Sequence, residues 1–292
     1  MCAVWFAITA CAERPGSDEP AAPEQMLDDF GYPVSAGTNS DPARIVSLSP
    51  TTTELLFRLT AGARLVGRTT WDLYPDSARL VTDVGPGLRP NVEAVLAVDP
   101  DLVILYASGE NRAAAEQLRA AGVDVIALRI DSIEDFERAA RVLGTATGQG
   151  PAARAVVHSL RQALAAVRDS VRGLDTPSVF LHVWHQPLIT IGGGSYLDAL
   201  VTIAGGENVF GDMDSPSPQV SLESVIERDP DVVLAGPRSA ARILRDPSWS
   251  SLTAARNGRV LVLDTALVGR PSARMGEAAW SIARLLHPEL AP

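Results

Sequence analysis

The stretch NVEAVLAVDPDLVIL at residues 91–105 recurs 130 residues later as SLESVIERDPDVVLA at residues 221–235. Six of the fifteen positions are identical: Glu93, Val95, Asp99, Pro100, Asp101 and Val103 in the first copy. Upstream, ELLFRLTAGARLVG at residues 54–67 parallels DALVTIAGGENVFG at residues 198–211. The two halves of the chain are therefore predicted to be copies of one unit.

Each copy has the pattern strand, helix, strand, helix, strand. RIVSL at residues 44–48 and SVFLHVW at residues 178–184 are β-branched or aromatic runs typical of strands. In both copies the DPD triplet ends a helix and precedes a continuous apolar run, as expected of a strand buried on both faces of a parallel sheet. The fold class that follows is α/β, with two similar lobes and mainly parallel sheets.

One long helix is predicted to join the lobes. Apolar residues recur there at spacings of three and four, at Val157, Leu160, Leu164, Val167 and Val171, which places them on one helical face. Pro151 suits the first turn of such a helix and Gly173 its end. The expected organisation is an N-terminal lobe at residues 44–148, a connecting helix at 149–174 and a C-terminal lobe at 175–292, with the ligand cleft between the lobes.

Composition excludes several classes of protein. The 292 residues are 46% hydrophobic and 21% charged, which is typical of a globular protein of about two domains. The net charge is −10, and no basic stripe offers the phosphate-neutralising surface of a nucleic-acid binder. Nucleic acid is therefore not expected as a partner.

The N-terminus has the features of an export signal. An apolar run at residues 3–10 ends in small residues before Cys11, which resembles a bacterial lipoprotein signal at residues 1–11 and implies acylation of the Cys11 sulfur. No Lys or Arg precedes the run, so a frayed apolar terminus remains the alternative. Residues 12–43 carry seven acids and one base and are rich in Pro, Ala and Ser, which predicts a disordered tether.

Two matched lobes on one helix resemble the helical-backbone binding proteins of ABC importers. RIVSLSP at residues 44–50, IAGGENVF at 203–210, PQVSLESV at 218–225 and RPSARMGEAA at 270–279 carry the resemblance, which is strongest to cobalamin-binding members. Haem and ferric-siderophore receptors share most of these segments. The resemblance implies an exported, lipid-anchored monomer without enzymatic activity or a resident cofactor. It would capture cobalamin or a related corrinoid, or else haem or a ferric siderophore, for a permease and its ATPase.

In that family an acidic residue on each lobe docks onto arginines of the permease. The matching positions here are Glu93 and Glu223. A glutamate that is merely part of a duplicated helix start, with Asn91 and Ser221 as caps, is the alternative.

The cleft should be lined by loops at the carboxyl ends of the strands, where open α/β sheets bind their ligands. The candidates are Trp71 and Tyr74 after the second strand, Tyr106 after the third, and Trp184 with His185 after the first strand of the second copy. Aromatic faces suit a large flat macrocycle, although each of these residues could instead fill a core. Arg270, in a loop before the last helix, is a candidate for an anionic ligand group or an exposed arginine.

Two further motifs do not indicate catalysis. The Gly192-Gly193-Gly194-Ser195 run favours a tight turn beside the cleft or an anion contact through its amides. His182 and His185 form an HxxH where a strand passes into a loop, and opposing side-chain directions argue against a shared metal. No GxSxG, Walker or HExxH motif occurs, so no enzyme is predicted.

Overall fold

The computed structural model describes residues 26–34 and 43–290. The strands are β1 (Ile45–Ser47), β2 (Leu65–Arg68), β3 (Leu102–Tyr106), β4 (Asp124–Leu128), β5 (Ser178–His182), β6 (Glu207–Asn208), β7 (Val232–Ala235) and β8 (Val260–Val262). The helices are α1 (Pro50–Arg58), α2 (Val92–Leu96), α3 (Gly109–Ala120), α4 (Ile133–Ala146), α5 (Gly150–Ser170), α6 (Tyr196–Ile203), α7 (Leu222–Arg228), α8 (Pro237–Ile243), α9 (Thr253–Arg256), α10 (Thr265–Val268) and α11 (Met275–Leu286). Within the described ranges, no helix is both long and apolar enough to cross a bilayer.

The two lobes have the same sheet topology. The N-terminal sheet has the order β2-β1-β3-β4 and the C-terminal sheet the order β6-β5-β7-β8, and every pairing is parallel. Each strand thus has a counterpart at the same place in the other sheet. The predicted fold class, two similar α/β lobes with parallel sheets joined by one long helix, is confirmed.

The DPD triplet makes the same turn and the same hydrogen bond to a strand in each lobe. Its first residue turns the chain through the left-handed region, with φ of 47° at Asp99 and 35° at Asp229. Its last residue fixes the start of the neighbouring strand: the Asp101 carboxylate accepts from the Arg44 amide at 2.9 Å, and Asp231 accepts from the Ser178 amide at 2.9 Å. The repeat therefore links a helix end to the sheet in both lobes.

Helix α5 packs against α4 of the first lobe and α11 of the second. It buries Ala153, Val157, Leu160, Leu164 and Val167, and these side chains belong to one apolar cluster that continues into both lobes. The helix ends at Ser170, earlier than the predicted segment, because the chain turns at Gly173 with a φ of 83°. The two lobes consequently share this cluster, and each also has a buried cluster of its own.

Residues 26–34, named here the N-terminal strap, pack on the edge of the first lobe. The Asp28 carboxylate is 5% exposed, accepts from the Ala127 amide of edge strand β4 at 3.0 Å and pairs with Arg119 at 2.9 Å. The Arg119 guanidinium lies 3.7 Å from the centre of the Tyr32 ring, and Val34 is buried in the shared core.

The prediction of a disordered tether over residues 12–43 is therefore wrong for the strap. The acids counted there as solvated include Asp28, which is buried and paired. Composition records only that an acid is present, and it does not reveal a basic partner 91 residues away in the chain. Residues 12–25 and 35–42, the signal at residues 1–11 and Cys11 lie outside the described residues.

Replacing Leu160 by alanine tests whether α5 holds one common core. The substitution removes a fully buried side chain between the lobes, so we expect the free energy of unfolding to fall by about 2–5 kcal/mol in urea denaturation. The exposed neighbour Gln162→Ala should change it by less than about 0.5 kcal/mol. Equal effects of the two variants would contradict a shared core at this helix.

Asp28→Ala tests the strap. Loss of this buried carboxylate leaves Arg119 without its ionic partner, so we expect a loss of about 3–5 kcal/mol, measured by denaturation. Asp124→Ala, at an exposed position of β4, is the matched control and should have little effect. Indistinguishable stabilities would mean that the strap contributes nothing to the fold.

Candidate ligand-binding site

The carboxyl edges of both sheets face the junction between the lobes. At this junction Thr51 of α1 donates from its hydroxyl to the Pro271 carbonyl at 2.9 Å. The Tyr196 amide at the start of α6 donates to the Asp131 carbonyl, which follows β4, at 3.2 Å. The loops that leave the carboxyl ends of the strands in one lobe therefore meet those of the other, as the predicted cleft requires.

The loop after β2 presents Trp71 at the surface. Asp72 is fully buried there and accepts from the Thr53 hydroxyl at 2.6 Å, from the Thr69 amide at 3.1 Å and from the Thr69 hydroxyl. Burial raises the pKa of Asp72 despite these bonds. Because its neighbour is anchored in this way, Trp71 keeps a defined position although its side chain is 67% exposed.

Tyr74 lies at the lobe junction. Its ring is covered by the guanidinium of Arg274 from the other lobe, 4.0 Å from the ring centre. Arg274 also pairs with Glu54 of α1, Nε to Oε1, at 3.3 Å. Glu54 is 1% exposed, and burial raises its pKa while Arg274, Arg270 and Arg58 oppose that rise. Tyr74 is thus one layer of a cation-π and ionic stack that joins the lobes.

Tyr106 ends β3 and is tied to its own lobe. Its hydroxyl donates to the Asp131 carboxylate, with distances of 2.8 and 3.0 Å to the two oxygens. Burial first, and then Asp131, raise the pKa of Tyr106 to about 12. The phenol therefore stays protonated at neutral pH and does not offer a phenolate to a metal.

Trp184 and His185 line a cavity of about 550 Å³ in the second lobe. Trp184 is 61% exposed, and its indole N–H donates to the Gln186 carbonyl at 3.0 Å, which fixes the ring. The complete lining is Val183, Trp184, His185, Gln186, Gly236, Pro237, Arg238, Ser239, Arg242 and Thr265. The size suits a small-molecule ligand.

Sequence reasoning missed Arg238 and Arg242, which enter this cavity from α8. A signal was available, because the second DPD copy predicts a strand that ends near residue 235. The residues that follow a parallel strand lie at the carboxyl edge of its sheet, where ligands bind. Arg238 and Arg242 follow β7 as Tyr106 ends β3, its counterpart in the first lobe.

Arg270 does not line the cavity of the second lobe. It is half-buried, and its charge acts on Glu54 and Tyr196 at the junction. Its Nε is buried without a hydrogen-bond partner among the described residues. Arg270 is therefore placed beside the junction stack, with one donor still available.

The histidine pair differs from its prediction. The rings of His182 and His185 stack, 5.9 Å apart at 29°, so the predicted opposition of their side chains is wrong. Strand β5 ends at His182, and strand alternation does not extend across the following turn. Burial lowers the pKa of His182, and neither of its ring nitrogens has a hydrogen-bond partner in the described part of the chain. No group of three or more possible metal ligands occurs among the described residues.

The glycine run forms a tight turn. The Gly193 amide donates to the Met213 carbonyl at 2.9 Å, and the Gly194 amide to the Asp198 carboxylate at 3.3 Å. A Cβ atom at Gly192 would lie 2.0 Å from the Ser215 carbonyl oxygen, so only glycine fits there. Because these amides donate to protein oxygens, the structure supports the tight turn and not the anion contact.

Glu93 and Glu223 occupy equivalent exposed positions. Each lies in the first turn of its helix, α2 or α7. The caps are Asn91, whose side chain accepts from the Ala94 amide at 3.2 Å, and Ser221, which accepts from the Ser224 amide at 3.1 Å. Hydrogen bonds from its own amide and from Ser221 lower the pKa of Glu223. The two carboxylates therefore project from matching places on the two lobes.

Comparison with known proteins finds a matching family and several similar proteins. The family model described as "Periplasmic binding protein" matches residues 45–267. The vitamin B12-binding protein of Salmonella paratyphi A is 32% identical over 72% of this chain and 78% of its own length. The uncharacterised ABC transporter substrate-binding lipoprotein YvrC of Bacillus subtilis is 26% identical over 98% of this chain and 97% of its own. The crystal structure of the haem-binding protein HutB of Vibrio cholerae is 25% identical, with a TM-score of 0.75 over 85% of this chain and all of that one.

The match covers the strands, the connecting helix and most of the second lobe, and it agrees with the paired parallel sheets and their junction. On these grounds the chain belongs to the periplasmic binding protein family.

Proposed function

We propose that this chain is the substrate-binding lipoprotein of an ABC importer, which captures cobalamin or a related corrinoid and delivers it to the permease. The observation that carries the proposal is the pair of exposed tryptophans, Trp71 and Trp184, one on each lobe at the carboxyl edge of its sheet. Large exposed aromatic side chains in fixed positions mark a binding surface, since burial on a ligand is what would cover them.

The shape and chemistry of the site support a macrocyclic ligand. A macrocycle offers flat apolar faces to the tryptophans, and the cavity of about 550 Å³ beside Trp184 accepts part of a large ligand. The sequence likeness to the vitamin B12-binding protein of Salmonella supports a corrinoid. The chain acts by binding and delivery, without chemistry on the ligand.

Haem or a ferric siderophore is the second candidate. Arg238 and Arg242 line the cavity and suit a ligand with carboxylates, and a haem-binding protein shares the fold. This candidate changes the ligand and leaves the role in import unchanged.

The proposal includes export of the protein and its attachment to the membrane by a lipid anchor. The lipoprotein signal ending at Cys11, together with the likeness of almost the whole chain to a substrate-binding lipoprotein of Bacillus, supports a lipid anchor on the outer side of the membrane. Two acyl chains would hold the protein stably at the bilayer. A monomer is sufficient, since both lobes of the cleft come from one chain.

Glu93 and Glu223 are the proposed contacts to the permease. Two carboxylates on lobes that share one apolar cluster form a pair with fixed separation, and pairing each with an arginine would set the orientation of docking. Their equivalent, exposed positions in α2 and α7 support this role.

Trp184→Ala tests the ligand site. Removing the indole face should weaken binding of the transported macrocycle by about tenfold in a fluorescence or calorimetric titration, since one aromatic stacking contact contributes about 0.5–1.5 kcal/mol beyond the area it buries. Leu80→Ala, which removes an even more exposed side chain that does not line the cavity, should leave the affinity unchanged. Equal affinities of both variants and the parent would exclude Trp184 from the site.

Charge reversal at the docking positions tests delivery. The double variant Glu93→Lys, Glu223→Lys should retain ligand binding but lose permease binding and uptake into cells or proteoliposomes. Glu116→Lys, Glu207→Lys makes the same change in charge at exposed positions elsewhere and should transport normally. Unimpaired transport by the docking variant would refute these contacts.

A further inference from the structure

The cavity of the second lobe differs in charge from the rest of the molecule. Of its ten lining residues none is Asp or Glu, although the whole chain has a net charge of −10. Two of the ten, Arg238 and Arg242, carry a permanent positive charge. The cavity is therefore a positively charged pocket in an acidic protein.

The two arginines lack the partners that most other arginines have. Arg228 pairs with Asp212 at 2.9 Å and Arg138 with Asp29 at 2.9 Å, for example. Among the described residues, Arg238 and Arg242 have no side-chain hydrogen bond and no ion pair. Their donors are free to bind a ligand.

Their spacing has a cost in the free protein. The two residues are four apart on α8, which puts both guanidinium groups on one face of the helix. Like charges at that spacing destabilise a helix, and no carboxylate of the lining offsets the repulsion. An anion bound between them would offset it.

Two other side chains of the lining lie beside the arginines. His185 lines the same cavity, and its Nδ1 is buried without a hydrogen-bond partner in the described ranges. Asp246 lies outside the lining, and hydrogen bonds from the Ser248 hydroxyl and amide, with a smaller contribution from His185, lower the pKa of its carboxyl. Trp184 supplies an apolar face next to these donors.

We propose that Arg238 and Arg242 form an anion subsite, and that the transported ligand is a macrocycle or metal chelate with at least one carboxylate or phosphate held there. A guanidinium matches a carboxylate or phosphate with two parallel N–H donors, which gives both strength and orientation. The inference rests on the proposed function and narrows it from the whole ligand class to its acidic members.

Two pairs of probes differ only in the acidic group. Haem carries two propionates that its dimethyl ester masks, and cobyric acid has a carboxylate where cobinamide has a neutral amide. Binding of all four is measured by absorbance and calorimetric titration to the parent protein and to Arg238→Gln, Arg242→Gln and the control Arg245→Gln. Arg245 is exposed, lies just after α8 outside the cavity and loses the same charge.

We expect the parent to bind the acidic member of at least one pair at least tenfold more tightly than the neutral member. Arg238→Gln and Arg242→Gln should each remove most of that difference, whereas Arg245→Gln should retain it. Binding of a probe with no preference for the acidic member, or with a preference that neither cavity variant reduces, would overturn the anion subsite and leave the proposed function standing. Cobalamin is titrated alongside them. If the parent binds cobalamin but none of the four probes, the anion subsite is overturned and the proposed function stands; if it binds none of the five compounds, the proposed function is overturned, and the subsite with it.

Discussion

Burial of one apolar stripe on α5 against both lobes holds the two sheets in a fixed relation. Its side chains, from Ala153 to Val167, belong to one apolar cluster that includes residues of both lobes, and each lobe has a second buried cluster of its own. A single helix that is packed along its length cannot act as a loose hinge. Because α5 packs against α4 and α11, we expect ligand binding to produce small movements of the lobes and not wide closure.

The packing of the two lobes on α5 explains why some side chains at the junction contact protein groups and others remain exposed. Because the carboxyl edges of the sheets meet at the junction, some of the nearby polar and aromatic groups bind protein groups and others stay free. Tyr74 lies under Arg274 of the other lobe and helps to hold the junction together, whereas Tyr106 donates to Asp131 within its own lobe. Trp71 and Trp184 remain exposed in anchored loops. The free aromatic faces are the surfaces available to a ligand.

Most of the fold, but only part of the candidate site, could be predicted from the sequence. The repeated DPD triplet and the stripe on α5 predict topology because they record local turns and helical periodicity, which depend on neighbouring residues. The strap was missed because Asp28 finds Arg119 only in three dimensions. The stacked histidines were misjudged because β5 ends at His182. Glu54 pairs with Arg274, 220 residues away in the chain, and no pattern among neighbouring residues indicates such a contact.

We propose that this chain captures a large flat ligand between its two lobes. Isothermal titration calorimetry of the purified protein with cobalamin, haem and ferric siderophores, repeated at several temperatures, tests it most directly. We expect saturable binding of at least one of them with a negative heat-capacity change, because exposed aromatic surface such as that of Trp71 and Trp184 would be buried on binding. Absence of saturable binding with every compound, or binding that survives removal of both tryptophans unchanged, would contradict it.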